Sequence, residues 1–325
     1  MADEQLTREG DLAGQKILVT GGAGFIGSHL VEKLVGEGAR VTVVDNLTKG
    51  QLENIAGVRD RVDLRKLDLR EASFPALLEE TRPEIVFHLA GFASVPDSVN
   101  AVRTDFEQNA EATLDLLEAV RGSAPDTRVI FASSAAVYGE GSDAPLEETD
   151  ATVPLSPYGV SKLAAERYKH VYANVFGLRT AIVRFFPVFG PRLRRHVIWD
   201  LMCKLHESPH ELSLEGDGSQ IRDFTYIDNA VIALLVLADR APLVGEVYNA
   251  SDGRPVTIRE LATILCKKMG STPRIVCTGE IRPGVSRVWI ADTTRLRALG
   301  FRPRVGLDEG LAETVSWFRA EAARR

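Results

Sequence analysis

In the stretch SPYGVSK, Tyr158 stands four residues before Lys162. On a helix that spacing puts both side chains on one face, about 5–6 Å apart at Cβ. A free phenol titrates near 10, so only about one in a thousand is ionised at neutral pH. An ammonium one turn away, helped by a positive nicotinamide ring where one is bound, favours the phenolate and is expected to draw its pKa down toward neutrality. A phenolate so placed is a general base for a hydroxyl proton. The same pair on a solvated helix turn would do nothing, so its meaning depends on the residues around it.

The second chemical signal is VTGGAGFIGSHL, with glycines at Gly21, Gly24 and Gly27 between an apolar run and a helix-like segment. Gly21 permits a tight turn, Gly24 lets the backbone approach a pyrophosphate, and Gly27 lets the helix pack closely. The helix that follows offers unpaired N–H groups to an anion. Asp45 ends the next apolar run, 24 residues after Gly21. A carboxylate there accepts hydrogen bonds from ribose hydroxyls and repels a 2′-phosphate, which favours NAD over NADP. Asp68, at the end of RKLD, either reaches toward the adenine or caps its own strand.

These residues need a scaffold, and the chain alternates in the manner of one. Short Val- and Ile-rich runs occupy 16–20, 40–45, 62–68, 84–91, 128–134 and 179–186. Strands apolar throughout are expected where a parallel sheet is buried on both faces. The segments between them, including FIGSHLVEKLVGEG, FPALLEET and SPYGVSKLAAERYKHVYANVFG, carry helical spacing. The expected fold is α/β, a doubly wound parallel Rossmann sheet with a smaller C-terminal mixed α/β lobe. Residues 1–14 read as a flexible leader, and 15–186 with a return segment near 221–250 as the NAD-binding domain. Residues 187–220 and 251–325, where Pro187, Pro191 and Pro209 break the rhythm, read as the second lobe.

Composition limits the partners. The chain has 325 residues, 45% hydrophobic and 26% charged, enough for a large core in one domain or two. Its net charge of -6 argues against a nucleic-acid surface, which would show a basic excess. Cys203, Cys266 and Cys277 have neither disulfide-framework nor metal-ligand spacing, so no metal is expected. The acidic N-terminal stretch is unlike a signal peptide. AVIALLVLA is about half the roughly 18 apolar residues a membrane span needs. A cytoplasmic protein with no membrane partner is expected.

TGGAGFIGSHL, DNLTKG, HLAG, SSAAVYG, YGVSK, RFFPVFGPR and GDGSQIRDFTYIDN follow one another in an order that resembles the extended short-chain dehydrogenase/reductase family, the NAD-dependent nucleotide-sugar epimerases and dehydratases. The resemblance runs from about Lys16 to Phe318. It implies catalysis by Tyr158, Lys162 and Ser134, with Ser133 structural. It further implies that Phe25, Ile26, Asn46, Leu69, Leu89, Ala90 and Asn109 surround NAD with the glycine turn, Asp45, Asp68 and Lys162. Ser94, His196, Val197, Arg222, Arg282 and Arg192, with Ser134 and Tyr158, are implied on the side of a nucleotide-diphosphate sugar, a UDP-sugar above all. A homodimer built on the helix carrying Tyr158 and the one before it is also implied.

Within that family, dehydratases carry Asp-Glu directly after the catalytic Ser/Thr, and decarboxylating relatives keep the Glu. Here those positions are Ala135 and Ala136, which cannot move a proton. What remains is a 4-epimerase, which removes hydride from C4 and returns it to the opposite face. A dehydratase or C4 oxidoreductase on the same scaffold is the alternative, and a non-catalytic NAD sensor an alternative of another class. Three positions depart from the family pattern: Pro187 replaces a substrate-binding Asn, Val285 an Asp, and Asp97 a basic residue. The run Arg192, Arg194 and Arg195 either compensates for Pro187, meets an acidic sugar, or serves the structure alone.

Overall fold

The computed structural model describes residues 12–280, 284 and 286–323. Its central sheet begins with β1 (Lys16–Thr20), β2 (Arg40–Asp45) and β3 (Asp63–Lys66), linked by α1 (Phe25–Gly36) and a 3₁₀ segment at Leu52–Arg61. It continues through α2 (Phe74–Thr81), β4 (Ile85–His88), α3 (Val95–Asn100) and α4 (Val102–Phe106). A π-helical turn at Glu107–Glu111 leads into α5 (Ala112–Ser123). Then come β5 (Arg128–Ser134), α6 (Pro157–Phe176) and β6 (Arg179–Phe185).

Beyond β6 the chain weaves between two lobes. β7 (Val188–Phe189), α7 (His196–Glu207), β8 (Glu211–Leu214), β9 (Ile221–Asp223) and β10 (Thr225–Tyr226) lie at or beyond the sheet's end. α8 (Ile227–Arg240) and β11 (Val244–Ala250) return to the large sheet. β12 (Pro255–Thr257), α9 (Ile258–Met269), β13 (Arg274–Cys277), β14 (Val288–Trp289), α10 (Thr294–Ala298) and α11 (Leu307–Ala322) complete the chain. The return therefore runs through 227–250. Residues 221–223, grouped with it on sequence, pair instead with β12 and β14 in the small lobe.

The seven strands of the large sheet are ordered β11-β6-β5-β4-β1-β2-β3, every neighbouring pair parallel. Side-chain alternation divides each strand between two apolar layers. Ile17 and Val19 of β1 face the layer holding α1 and α8, and Leu18 faces the one holding α2 and α5. β3 is an edge strand with no fully buried residue, which its Asp, Arg and Lys content allows. Winding reverses between β1 and β4, and the crevice outside the carboxyl ends of those strands is where an open α/β sheet takes ligands. Residues 1–11, most of the expected leader, lie outside the described residues, and Leu12–Gly14 form a turn hydrogen-bonded to Gly38.

Candidate active site

A cleft of about 830 Å³ opens at that crevice, between the carboxyl ends of the large sheet and the small lobe. Its floor on one side is the glycine turn. Gly21 has φ +69, and a Cβ there would come within 2.7 Å of the Ala90 nitrogen. A Cβ on Gly27 would lie 2.2 Å from the Gly21 carbonyl, so only glycine lets α1 start this close to β1. No side chain caps α1 at Gly24, which leaves its first N–H groups for an anion. Phe25, Ile26, Leu69, Leu89 and Ala90 line the same wall.

Asp45 closes β2 and is buried. Its carboxylate accepts from the Ala23 N–H at 3.0 Å and the Leu47 N–H at 2.8 Å, so it also fastens the glycine turn. Gly50 lies directly over it, since a Cβ there would approach Oδ1 to 2.6 Å. Burial raises the pKa of Asp45, opposed by its two backbone hydrogen bonds. Asp68 accepts from Arg70 at 2.8 and 3.0 Å and from Asn46 at 2.9 Å, with Arg70 foremost in holding its carboxyl well below the usual range. It also accepts from the Arg70 N–H at 3.1 Å, so it caps its strand end while lining the cleft.

Opposite stands the reacting set. α6 starts at Ser156, whose hydroxyl accepts from the Gly159 N–H at 3.2 Å, and Pro157 occupies the first turn. That start fixes Tyr158 and Lys162 on the buried face of the helix, 9% and 4% exposed. Ser134, at the end of β5, accepts from the Ala136 N–H at 3.2 Å and lines the cleft with Tyr158, whose phenol pKa it draws down. Lys162 donates to the Ala132 carbonyl at 3.0 Å and lies over the Phe131 ring. Burial lowers its pKa to about 8, against the pull of Asp105 and Glu166. Ser133 instead donates to Glu166 at 2.5 Å, within a buried ion pair of Glu166 with Arg184.

The protein on its own does not make the phenol acidic. Its pKa is raised, because burial strips water from the phenolate, and the positive ring of NAD is needed to bring it down. Ser134 and Arg195 work against that rise, and Asp105 adds to it. Lys162 is turned to the Ala132 carbonyl, so the cation acting on the phenol is Arg195. Sequence reasoning left Arg195 in a run of three without separating it from its neighbours. Asp105, also missed, could have been found through its spacing of four from Asn109.

Asn109 stands behind the cleft, in the π-helical turn. It accepts from the Phe92 N–H at 2.9 Å and donates to the Phe92 carbonyl, Asp105 and Ser161 at 3.0–3.1 Å. A Cβ on Gly91 would come within 2.5 Å of its Oδ1. It therefore holds the loop after β4 rather than lining the cofactor wall.

On the small-lobe side, Ser94, His196, Val197 and Arg222 line the cleft. Ser94 caps α3 by accepting from the Asp97 N–H at 3.2 Å. His196 opens to the cleft, yet surrounding protein lowers its pKa to about 4, with Arg195 adding repulsion. Among the described residues no cluster of His, Cys, Asp or Glu could hold a metal. Arg222 donates to the carbonyls of Ile221, Ser286 and Arg287 at 2.5–3.1 Å and stacks on Trp289. Those bonds occupy three of its five N–H groups. Arg282 and Val285 lie outside the described residues.

Arg192 lines the cleft, but its guanidinium is taken up by α1. It donates to Glu32 at 2.7 and 2.8 Å and to Ser28 at 3.1 Å, tying its loop to α1. Arg194 donates to Glu321 at 2.5 and 2.9 Å and to Gln51 at 2.9 Å. Arg192 and His196 both have positive φ, 75 and 67, conformations that cost about 1–3 kcal/mol in non-glycine residues. Packing at both ends holds the loop in this shape.

Such a cleft suits an enzyme that holds a dinucleotide on the sheet side and presents a second ligand to it from the small lobe. The chain belongs to the NAD dependent epimerase/dehydratase family, whose profile matches residues 17–251. It is 34% identical to the UDP-glucose 4-epimerase of Mycolicibacterium smegmatis over 94% of this chain and 98% of that protein. Among solved structures it is similar to the UDP-glucose 4-epimerase of Thermotoga maritima with UDP-glucose, at TM-score 0.87 and 35% identity over 94% of this chain and 99% of that one. It is also similar to the UDP-N-acetylglucosamine 4-epimerase of Methanobrevibacter ruminantium M1 in complex with UDP-N-acetylmuramic acid, at TM-score 0.87 and 33% identity, covering 95% and 99%.

Proposed function

We propose that this protein is an NAD-dependent nucleotide-sugar 4-epimerase acting on a UDP-hexose. The reading is carried by one observation: Tyr158, Ser134 and Lys162 line one cleft whose facing wall is the glycine turn. NAD fits that wall, with the glycine turn and the first N–H groups of α1 for its diphosphate, Asp45 for the adenosine ribose and Lys162 for the nicotinamide ribose. When bound, NAD supplies a hydride acceptor for C4 of the sugar, gives the hydride back, and carries a positive ring that favours the phenolate.

Tyr158 takes the C4 hydroxyl proton, with Ser134 bridging the sugar oxygen and the phenol. Arg195 helps to offset the burial that holds the phenol protonated. The resulting 4-ketose turns its other face, and Tyr158 returns the proton as the alcohol re-forms. Arg222, with two N–H groups to spare, clamps the diphosphate. Ala135 and Ala136 are buried and cannot titrate, so the proton transfers at C5 and C6 that dehydration needs have no carrier at these positions.

We place the enzyme in the cytoplasm as a homodimer. Three cysteines without a disulfide among the described residues suit a reducing compartment. None of the described helices is long and apolar enough to cross a membrane. The apolar residues of α5, Leu116, Leu117 and Val120, are buried within the protomer. Val160, Val171 and Val175 of α6 and Phe106 of α4 are exposed, and these are the proposed contact face.

The decisive experiment incubates the protein with UDP-glucose, UDP-N-acetylglucosamine and UDP-glucuronate and their GDP, CDP and dTDP counterparts, following products by NMR. Inversion at C4 supports the reading. A 4-keto-6-deoxy product, or no turnover of any of these sugars, overturns it.

A further inference from the structure

Tyr158, Lys162 and Glu166 stand four apart on α6, a spacing that makes one row of side chains along a helix. The reaction uses the first two and not the third, yet Glu166 is buried, 3% exposed. This row grips the end of β5. Lys162 donates to the Ala132 carbonyl at 3.0 Å, and Ser133 donates to Glu166 Oε1 at 2.5 Å. Ser134, the last residue of the strand, lines the cleft with Tyr158. Glu166 is held in turn from the next strand. Arg184, the partner of Ser133 in the β5–β6 register, is buried and donates to Oε1 at 3.0 Å and Oε2 at 2.8 Å. Its remaining nitrogen donates to the Glu148 carbonyl at 3.3 Å, and the guanidinium lies over the Tyr138 ring.

That arrangement separates two adjacent serines. A guanidinium only donates, so the carboxylate beside it accepts from both neighbours, and the hydroxyl proton of Ser133 is committed to Glu166. A bond of this kind to a charged acceptor is among the stronger hydrogen bonds, and in a buried site water does not compete for it. Ser134 occupies the last ladder position of β5, after which the chain leaves the sheet in a 3₁₀ turn at Ala135–Val137. The side chain that ties this strand end to α6 is therefore Ser133, the residue before it. Ser134 has to stand within hydrogen-bond reach of the oxygen that Tyr158 deprotonates. A misplacement of about 1 Å at such a group costs up to about 10²-fold in rate.

We propose that Ser133 and Glu166 are positioning residues for the reaction: the hydrogen bond between them clamps the end of β5 to α6 and so fixes Ser134 opposite Tyr158. Glu166 is then the third working member of the row that begins with Tyr158 and Lys162, acting through Ser133 on a site it does not touch. The proposal rests on the epimerase reading for the roles of Ser134 and Tyr158.

Glu166→Ala would strand a buried guanidinium without its counter-ion, so the test acts on the other partner. Ser133→Ala removes the hydroxyl and leaves the ion pair whole, and Ser133→Thr returns a hydroxyl. Both are compared with the parent, with Ser134→Ala and with the double Ser133→Ala, Ser134→Ala variant. Turnover of the nucleotide sugar that the product screen identifies is followed per mole of folded, NAD-loaded protein, so partial unfolding does not imitate the result. Ser133→Ala is expected to lower kcat about 10- to 100-fold with KM changed less than about twofold, and Ser133→Thr to recover most of the loss. In the Ser134→Ala background the same change should lower kcat no further, because its effect passes through Ser134. Additive losses, a change confined to KM, or an unchanged kcat would each overturn the proposal. Crystal structures of the parent and of Ser133→Ala with NAD bound need no turnover. The separation of Ser134 Oγ from the Tyr158 oxygen should lengthen or split into conformers in the variant. An unchanged separation sinks this proposal even in an active epimerase, and a displaced Ser134 in a protein that epimerises nothing sinks only the reaction.

Discussion

At the scale of single residues, the site is governed by burial working against charge. The Tyr158 phenol is raised by desolvation and brought back in part by Ser134 and Arg195. Until NAD adds its positive ring the base form is scarce at neutral pH, and kcat/KM should climb as pH rises through the neutral range. Arg195→Gln should shift that climb to higher pH, read from an NMR turnover profile; an unmoved profile would show that the guanidinium does not act on the phenol. Tyr158→Phe should lower kcat by about 10²–10⁴ while a fluorescence titration finds NAD affinity unchanged.

Lys169 offers a second residue-scale test. It is fully buried, its amine has no hydrogen-bond partner among the described residues, and it lies over the Phe131 ring at 4.0 Å. Burial, with repulsion from Lys162, depresses its pKa well below 10.5. The unfolded chain then binds a proton that the folded one does not, so stability rises with pH up to the unfolded value and falls as pH drops through the folded one. Lys169→Met keeps the length and removes the unpaired amine. It should gain about 1–3 kcal/mol at pH 7 in a denaturant titration. That gain should shrink toward pH 10.5, and a gap independent of pH would refute the account.

At the scale of elements, α6 carries the chemistry and Ser156 sets where it begins. Ser156→Ala removes the cap and should cost about 1 kcal/mol, with a fall in kcat because Tyr158 lies in the first turn; a melt and a turnover assay together check both. Much of this scale could be read from the chain. Runs such as KILVT and RVIFASS form the strands they suggested, and Ser-Pro ahead of Tyr158 does start the helix. What could not be read was the partner of each charge. Arg192 and Arg195 are three residues apart and equivalent on paper, yet Glu32, which captures the first, is 160 residues away. Lys162 sits one turn from Tyr158, but the backbone carbonyl of Ala132 claims it. Asn109 reads as a cofactor residue until the π-helical turn is seen to aim it at Phe92. Pairings across the fold decide such cases, and local spacing carries no record of them.

At the scale of the whole molecule, the exposed apolar face of α6 and α4 is the contact face of the proposed homodimer. Val171→Glu combined with Val175→Glu should convert the dimer to monomers in sedimentation velocity, leaving the fold intact because both side chains point outward, 45% and 66% exposed. A monomeric parent would refute the assignment of this face. The order of the large sheet has a different consequence. Its last strand, β11, is made after the chain has already visited the small lobe, so neither lobe is a contiguous stretch of sequence. A fragment stopped near residue 190 would leave β6 with a bare edge and the sheet without α8 over one side, an invitation to aggregation. The two halves of this enzyme can be inherited, expressed or exchanged only together.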